Sequence, residues 1–410
     1  MSETTTPGSR SFPVQRQCPF APPPEYDRLR AEEPVSQVQL PTGGTAWLVT
    51  RYEDVRTVLS SPAFSADGTR PGFPTMLPGQ AQLLQRPPFI RMDPPQHSFY
   101  RRMLIQEFTV KHIKTMRPGI QATVDRLLDD LLASTPPVDL VEAFALPVPS
   151  LVICQLLGVP YDDHEFFQSG SKVAVSGAST AEQFATALGG LRAYMDGLIT
   201  RKQQEPGDDL LSKLVIEQLE PAGELRRDDL LMMCLMLLNA GHETTANMIS
   251  LGTAALLERP DQLAALRSDP GLLLGAVEEL LRYLSIADLV TTRIAAEDTE
   301  LSGTAIRAGE GVVALLAAAD WDPGVFPEPE RFDVHRGNRH HVAFGYGVHQ
   351  CLGQNLARME LEIVFSTLFA RIPTLRLAVP VDELPYKHGG LLFGLHELPV
   401  TWRTSRSRSA

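Results

Sequence analysis

A glycine-rich stretch near the carboxyl end, FGYGVHQCLG (Phe344–Gly353), runs into the apolar-periodic segment LARMELEIVFSTLFARI (356–372). Apolar residues that repeat every three or four positions predict an amphipathic helix, so Cys351 closes a loop and opens a helix. Gly345 and Gly347 allow backbone angles that other residues resist. Such a loop can aim several N–H groups at one point, and the helix N-terminus adds a positive field. The sequence therefore predicts a lowered pKa for the Cys351 sulfur and a role as a thiolate ligand.

Three other roles for Cys351 are open on spacing alone. A free cysteine is most often a small buried hydrophobe, which suits Cys154 and Cys234 because each lies in an apolar helical run. A cysteine–histidine hydrolase is a second alternative, although a nucleophile two residues from its histidine is poorly arranged. The third is a zinc site, whose spacing matches no common pattern and whose ligands would be His340, His341, His349 and Cys351.

One predicted helix is long enough to cross the whole protein. Asp228 or Asp229 can cap its start and Pro260 can stop it, which leaves about 30 residues and a length of about 45 Å. Its first half, LLMMCLMLL (230–238), is apolar on every side and should be buried. The polar stretch NAGHETT (239–245) follows in mid-helix, where each unbonded buried group would cost about 1–3 kcal/mol. A satisfied core network, a kink and a functional site are all open for this stretch.

The composition excludes several classes of protein. The chain has 410 residues, of which 43% are hydrophobic and 21% charged, as in a folded globular protein rather than a disordered one. With 49 acidic and 37 basic residues the formal net charge is −12, which argues against nucleic-acid binding. The four cysteines form no CxxC pair and the N-terminus has no apolar signal-peptide core. The longest apolar run has nine residues, whereas a membrane span needs about 20. We therefore expect a cytoplasmic protein that binds no membrane.

The order of predicted elements indicates a mainly α, α+β protein with small sheets. A proline-rich irregular arm covers residues 1–24, and a polar tail covers 404–410. Helical periodicity dominates residues 97–280, while strand-like segments lie before and after it. Residues 67–96 contain seven prolines and read as a long loop of the kind that forms lids or binding loops. Length alone suggests two or three domains, at about 150 residues each.

Four motifs together resemble those of the cytochrome P450 haem-thiolate monooxygenases, especially the soluble bacterial, actinomycete-type branch. Phe344–Gly353 fits the family's F-x-x-G-x-x-x-C-x-G haem-binding pattern, and Glu279–Arg282 fits its E-x-x-R pattern. Ala240–Thr245 (AGHETT) is similar to its A-G-x-[DE]-T-[TS] oxygen-activation segment, and His97–Arg101 to its H-x-x-x-R haem-edge segment. The motifs stand in the family's order, and the resemblance covers nearly the whole chain.

The resemblance implies a haem b cofactor (iron protoporphyrin IX) and a metal ligand for it. Cys351 would be the axial ligand of the iron, and the thiolate would favour cleavage of the O–O bond. Phe344 would pack near the sulfur, within a loop shaped by Gly345 and Gly353. The haem propionates are carboxylates that need charge-assisted donors, and the residues at the matching family positions are His97, Arg101, Arg293 and His349.

The same resemblance assigns the mid-helix polar stretch to oxygen activation. Glu243 and Thr244 would be the catalytic acid–alcohol pair, because an adjacent carboxylate and hydroxyl can order water and relay protons. Ala240 and Gly241 would be small because the helix passes close over the flat cofactor. The Thr244 hydroxyl could also bend the helix by donating a hydrogen bond to a backbone carbonyl.

By resemblance, residues 25–403 form one large domain, with the haem between the long central helix and the helix after the cysteine loop. Glu279 and Arg282 would lock the structure behind the haem. Arg331 and Arg336 are equal candidates for a third member of that network.

The function implied is a monooxygenation, the insertion of one oxygen atom from O₂ into a lipophilic small molecule. The reaction would be a hydroxylation or epoxidation of a secondary metabolite or xenobiotic. Electrons would come from an acidic ferredoxin with a separate NAD(P)H-dependent reductase, since the chain has no GxGxxG segment. The expected state is a monomer. Oxidative coupling on the same haem and a non-catalytic haem sensor are the alternatives, and the Glu243–Thr244 pair argues against the sensor.

Two further sets of residues follow from the resemblance. Basic side chains flank the haem-edge and cysteine-loop segments and would steer an acidic ferredoxin; they are Arg101, Arg102, Lys111, Lys114, Arg339 and Arg358. Mostly apolar or small segments would line the substrate pocket, namely residues 67–92, 166–190, 237–244, 285–291 and 391–393. The chain departs from the family in having no proline between Arg282 and Arg293, and in having Trp321 where an arginine is common.

Overall fold

Helices dominate the computed structural model, which describes residues 10–77, 80–160, 163, 166, 169–170, 173, 180–219 and 225–403. The predicted tail, 404–410, and part of the predicted lid segment, 166–190, lie outside these residues. Within the described part, no helix combines the length and the apolar composition that crossing a bilayer requires.

The α-helices are distributed along the whole described chain. They are α1 Pro24–Glu32, α2 Tyr52–Ser60, α3 Gln80–Leu83, α4 Gln96–Leu104, α5 Val110–Ala133, α6 Pro147–Leu157, α7 Ala181–Gln204, α8 Leu210–Leu214, α9 Arg227–Leu257, α10 Pro260–Ser268, α11 Leu273–Leu284, α12 Leu316–Asp320 and α13 Gln354–Arg371. Short 3₁₀ turns include Phe89–Arg91, Ile105–Phe108, Pro270–Leu272, Gly347–His349 and Val381–Glu383, and two π-helical turns cover Val141–Ala145 and Val215–Leu219.

The predicted long helix is α9, with 31 residues. Its N-cap is Arg226 and makes no side-chain capping bond, so the prediction that Asp228 or Asp229 caps it was wrong. Both carboxylates lie instead in the first turn, where they interact favourably with the positive end of the helix dipole. Helix α9 packs against α6, α7, α11 and α13, and this explains why its first half is apolar on every side.

Short strands form three small sheets. The strands are β1 Arg10–Ser11, β2 Val35–Gln39, β3 Thr45–Val49, β4 Phe64–Ser65, β5 Val138–Asp139, β6 Thr292–Ala295, β7 Thr299–Leu301, β8 Thr304–Ile306, β9 Gly311–Ala314, β10 Arg376–Leu377 and β11 Pro399–Thr401. The largest sheet has the order β1-β2-β3-β9-β6-β4, beside a three-stranded sheet β10-β11-β5 and the hairpin β7-β8. The predicted α+β class is confirmed.

The large sheet fixes two parts of the chain that matter for the site. Strand β6 lies between β9 and β4, with Arg293 opposite Val312 in the antiparallel register. Strand β1 pairs in parallel with β2, with Arg10 opposite Val38. The N-terminal arm is therefore joined to the sheet through β1 rather than irregular throughout, and Phe12 beyond it is buried.

Candidate functional site

The cysteine loop is a tight turn that depends on two glycines. Gly345 and Gly347 have φ angles of 70° and 73°, in the left-handed region that side chains disfavour. A Cβ at Gly347 would also lie 2.7 Å from the carbonyl oxygen of Leu59 at the end of α2. The Cys351 N–H donates to the Phe344 carbonyl at 2.8 Å. The loop conformation places Cys351 two residues before the Gly353 N-cap of α13.

Burial raises the pKa of the Cys351 thiol, which is opposite to the predicted direction. The expected donors are present, because the backbone N–H groups of Gly353 and Gln354 bond the sulfur and lower its pKa. The charges of Arg101 and Arg358 act in the same direction. The prediction was wrong because the cost of desolvating an anion exceeds these gains. A bound cation would reverse the balance, since a coordinating thiol is deprotonated outright.

The other roles considered for the cysteines find little support. Burial raises the pKa of both Cys154 and Cys234 to about 12, so they are inert core residues. His341, a candidate zinc ligand, bonds Glu278 instead, with 2.9 Å between Nε2 and Oε2. Among the described residues no group of three His, Cys, Asp or Glu side chains could hold a metal ion.

Five basic side chains from four separate segments meet beside the cysteine loop. We name them the buried basic cluster: Arg91, His97, Arg101, Arg293 and His349. The rings of His97 and His349 lie 4.0 Å apart between centroids. Burial, reinforced by the neighbouring charges, lowers the pKa of His97 to about 4 and that of His349 to about 2. Both histidines are therefore neutral at pH 7.

No carboxylate among the described residues forms an ion pair with the three arginines of the cluster. Burial lowers the pKa of Arg91 to about 9 and that of Arg293 to about 10, because a desolvated guanidinium without a counter-charge is unfavourable. In the described part of the chain, both ring nitrogens of His97 and Nδ1 of His349 are buried without a hydrogen-bond partner. The nearby Asp93 already accepts from Ser65 and from the Ala66 N–H.

The two carboxylates of a haem fit this cluster. Charge-assisted donors are the usual partners of such groups, and each carboxylate could accept an N–H from the arginines and histidines of the cluster. The cluster brings together His97, Arg101, Arg293 and His349, as the sequence predicted. Arg101 also donates from Nη2 to the Gln350 carbonyl at 2.8 Å, which ties α4 to the cysteine loop.

Arg91 is a member of the cluster that the motifs did not mark. Its guanidinium donates to Thr292 Oγ1 at 2.9 Å and to the Val290 carbonyl at 2.9 Å. It is 8% exposed. The one signal in the sequence was a charged residue inside the apolar run PFIRM (88–92).

Helix α9 continues through the polar stretch without a break in the helix. The Thr244 hydroxyl does donate to the Ala240 carbonyl at 2.7 Å, as expected. Ala240 is exposed and Thr244 partly exposed, one turn apart on the same face. Gly241 also lies against a neighbouring helix, because a Cβ there would lie 3.1 Å from the Ile153 side chain of α6.

Glu243 points away from that face and meets a cation from a distant segment. It is buried and forms an ion pair with Lys387, which also donates to Asn247 Oδ1 at 2.9 Å. The residues are 144 positions apart in sequence, so no local pattern could reveal the pair. His242, beside Glu243, is neutral at pH 7 because burial lowers its pKa.

A complete network of opposite charges lies behind the cysteine loop. Arg282 donates to both carboxylate oxygens of Glu279, at 2.8 and 2.9 Å, and to the carbonyls of Asp320 and Pro329. Arg336 donates to Glu279 at 3.2 Å and is therefore the third member of the network. Arg331 instead lies at the surface beside Glu328.

Glu278 forms a second ion-pair group directly beside this network. Burial alone would raise the pKa of its carboxyl, but hydrogen bonds from His341 and Arg358 bring it down to about 2. Arg358 donates through Nε and Nη2, at 2.7 and 3.0 Å. Its guanidinium lies 4.6 Å from the centre of the Phe344 ring, so this group braces the cysteine loop from the side of α13.

The predicted docking charges are divided between surface and interior. Arg102, Lys111 and Lys114 are exposed, and we name these three the basic face. Arg101 and Arg358 are engaged in the internal contacts described above. Arg339 is exposed but lies 3.4 Å from a Glu278 oxygen.

Two of the predicted pocket segments are joined to each other. The Phe393 N–H donates to the Ile286 carbonyl at 2.9 Å, which links the 391–393 turn to the 285–291 segment. Ile286, Leu289 and Leu392 are buried, so these two segments supply apolar side chains.

Comparisons with known proteins agree with this geometry. A sequence model of the cytochrome P450 family matches residues 271–399. The chain is 53% identical to cytochrome P450 105A3 of Streptomyces carbophilus over 394 residues, which are 96% of each chain. It is 50% identical to the vitamin D3 dihydroxylase of Streptomyces griseolus over 96% of this chain and 97% of that one. The solved structure of the mycinamicin VIII C21 methyl hydroxylase MycCI from Micromonospora griseorubida, with mycinamicin VIII bound, matches with a TM-score of 0.91 and 43% identity, covering 96% of this chain and 100% of that one.

Proposed function

The chain belongs to the cytochrome P450 family of haem b monooxygenases, and from this premise we propose that it hydroxylates or epoxidises a lipophilic small molecule with electrons from a separate ferredoxin. For a hydroxylation the balance is R–H + O₂ + 2 e⁻ + 2 H⁺ → R–OH + H₂O. The substrate supplies the C–H bond, the ferredoxin the two electrons, and the solvent the two protons.

The observation that carries the proposal is the buried basic cluster beside Cys351. The cluster has five basic side chains, and ring nitrogens of its two histidines are buried without partners. A cofactor with two carboxylates and a metal would supply anions to the cluster and a cation to the Cys351 sulfur. We assign the propionates to His97, Arg101, Arg293 and His349, to which we add Arg91. Cys351 is the proposed iron ligand, and the N–H groups of Gly353 and Gln354 tune its basicity.

The haem, when bound, supplies the iron centre at which O₂ is reduced and cleaved, and a thiolate ligand favours that cleavage. The protein has to deliver protons there and exclude bulk water. We assign proton delivery to Thr244 and Glu243, which lie next to each other on α9. The Thr244 hydroxyl, bonded to the Ala240 carbonyl, is held in one orientation on the exposed face of the helix.

The substrate we propose is lipophilic and of considerable size. Buried apolar side chains in the 285–291 and 391–393 segments support a hydrophobic pocket. Two relatives are named for hydroxylating vitamin D3 and mycinamicin VIII, and a secondary metabolite or xenobiotic of similar character is the proposed class.

The electron donor we propose is an acidic iron–sulfur ferredoxin with its own reductase. The basic face is exposed and consists of Arg102 on α4 and of Lys111 and Lys114 on α5. The neighbouring Arg101 of α4 bonds the cysteine loop. Complementary charge steers such weak redox encounters. The expected mark is a rate of first-electron transfer that falls steeply as ionic strength rises.

The test of the haem-thiolate assignment is optical. We expect the reduced carbon monoxide complex to show a strongly red-shifted Soret band, and we expect Cys351→His to abolish it while haem is retained. Cys154→Ser serves as the matched control, because that thiol is buried in α6, and its band should be unchanged. A wild-type protein without the band would disprove the assignment.

The substrate class is tested by spectral titration of the oxidised protein. Each compound of a panel would be tested for the spectral shift expected when a ligand displaces water from the haem iron. The panel contains macrolides, polyenes, terpenoids, steroids including vitamin D3, and statin-like lactones. Thr244→Ala, measured with the best ligand, should release more peroxide for each reduced cofactor consumed. Unchanged coupling would remove Thr244 from proton delivery.

A further inference from the structure

The Glu243 carboxylate is held by a cation that belongs to neither its own helix nor a neighbouring one. Lys387 forms an ion pair with it, and the side chains are 16% and 4% exposed respectively. The same ammonium bonds Asn247 Oδ1 at 2.9 Å, one turn further along α9. One lysine thus contacts two side chains that lie one turn apart on the buried side of α9.

Lys387 lies on a turn that also carries a predicted pocket segment. Tyr386 bridges Leu395, and the Lys387 N–H donates to the Gly394 carbonyl at 2.8 Å. We name residues 386–395 the pocket hairpin, since the 391–393 turn lies at its end. The hairpin touches α9 closely, because a Cβ at Gly394 would lie 2.0 Å from Asn247 Oδ1.

We propose that Lys387 is a positioning residue that holds Glu243 for proton delivery, and that it does so from the pocket hairpin packed against α9. The proposal rests on the function proposed above. It adds a residue outside the four motifs and connects the wall of the substrate pocket with the supply of protons.

The physical reason is the cost of a buried carboxylate. An anion as buried as Glu243 tends to take up a proton or to turn toward water unless a cation compensates it. The other titratable side chains near this turn of α9 provide no compensating cation. His242 is neutral because burial lowers its pKa, and Glu360 of α13, which bonds Thr245, is an acid whose pKa burial raises to about 8. Lys387 is the cation that contacts Glu243 in the described part of the chain.

The ammonium also fixes where the carboxylate points. Lys387 is bonded on one side to Glu243 and on the other to Asn247. Removing the charge frees Glu243 to rotate, and the proton then has to travel by another route. The expected loss in the rate of coupled product formation is about 10-fold, as for other partners that orient a reacting group.

The experiment compares three variants of the haem-loaded protein. Lys387→Met removes the charge and keeps the length, and Lys387→Arg keeps the charge. Lys202→Met is the matched control, because Lys202 of α7 is 16% exposed, like Lys387, and forms an ion pair with the buried Asp209. Each is assayed with a [2Fe–2S] ferredoxin, its reductase and the panel compound that the wild type couples best.

We expect Lys387→Met to lower coupled product formation about 10-fold and to send the missing electrons to H₂O₂, by O₂ + 2 e⁻ + 2 H⁺ → H₂O₂. The acidic limb of its pH profile should move to higher pH, because a buried carboxylate without its cation holds a proton more tightly. Lys387→Arg should restore coupling and the pH profile. Lys202→Met should match the wild type in both, even where its thermal stability falls.

Two results would overturn the proposal. One is a Lys387→Met protein with the coupling and pH profile of Lys202→Met, and the other is a Lys387→Arg protein that is folded but as uncoupled as Lys387→Met. The carbon monoxide spectrum tests the haem assignment separately, so a failure of that assignment is distinguished from a failure of this proposal. All three variants keep Cys351 and should retain the red-shifted band.

Discussion

Two groups of buried charges flank the cysteine loop, and they differ in whether the protein completes them. Behind the loop lie the Glu279 network and the adjacent Glu278 group, in which each charge meets an opposite one. We refer to the two together as the ion-pair network; its members are Glu278, Glu279, Arg282, Arg336 and Arg358. Beside the loop, the buried basic cluster has five basic side chains and unpartnered histidine nitrogens. The charges of the first group are balanced by one another, whereas the second needs an anion that the described residues do not supply.

The pKa values express the same difference. In the network, hydrogen bonds outweigh burial and bring the pKa of Glu278 down to about 2, so the charged form is favoured. In the cluster, burial brings the pKa of Arg91 down to about 9 and that of Arg293 to about 10, so the charged form is disfavoured. Here the stabilised carboxylate belongs to the scaffold, and the destabilised guanidinium groups lie at the proposed cofactor site.

The largest effect should come from breaking the network at its centre. Glu279→Ala would leave the fully buried Arg282 without its carboxylate and should lower the free energy of unfolding by about 3–5 kcal/mol, with or without haem. Urea unfolding of both forms would measure it. Glu328→Ala is the control, because Glu328 pairs with Arg331 at the surface. Its free energy of unfolding should stay within about 0.5 kcal/mol of the wild type, and a larger loss would contradict the expected difference between the buried and the surface ion pair.

The pH dependence of stability should carry the mark of Glu278. Its carboxyl has an ordinary pKa of 4.5 and a folded-state pKa of about 2, so it stabilises the folded chain above pH 4.5. That contribution, about 3 kcal/mol, is lost as the pH falls from 4.5 toward 2. Glu278→Gln should therefore be less stable than the wild type at pH 7 and approach it in acid. A constant difference across this range would mean that the carboxylate charge is not what stabilises the network.

The buried basic cluster should respond in the opposite way to loss of a charge. Arg293→Met removes a guanidinium whose burial is unfavourable, so the haem-free protein should be as stable as the wild type or more so. Haem affinity should fall about 10- to 100-fold, since a charge-assisted hydrogen bond contributes about 1.5–3 kcal/mol. Transfer of haem to apomyoglobin would measure the loss. A haem-free variant that is clearly destabilised would place Arg293 with the scaffold instead.

Local sequence predicted the features that lie within one short segment. The glycines and the cysteine of the loop, the length of α9 and the Thr244–Ala240 bond all depend on residues a few positions apart, where spacing determines geometry. The direction of the pKa shift of Cys351 was predicted wrongly because that prediction used only the residues near it in sequence. Spacing shows the donors near the sulfur, but burial is a property of the packed chain.

Features formed between distant segments could not be predicted this way. Arg91 joins the cluster through β6, about 200 positions away, and Lys387 reaches Glu243 from the pocket hairpin. Gly241 lies against Ile153 of α6, a contact that the spacing within α9 does not reveal. Each contact is set by how helices and sheets pack, which no motif of ten residues encodes.

The smallest effect concerns the choice between two arginines that sequence left open. Arg336 donates to Glu279 and to the carbonyls of Pro327, Glu328 and Arg331, and its side chain is 14% exposed, against 61% for Arg331. Arg336→Ala should therefore lower the free energy of unfolding by about 1 kcal/mol, while Arg331→Ala stays within about 0.5 kcal/mol of the wild type. Because Glu279 keeps both bonds from Arg282, the loss should remain far below that of Glu279→Ala. Equal losses for the two arginines in urea unfolding would show that the network ends at Arg282, and the contrast with the buried basic cluster would then rest on fewer paired charges.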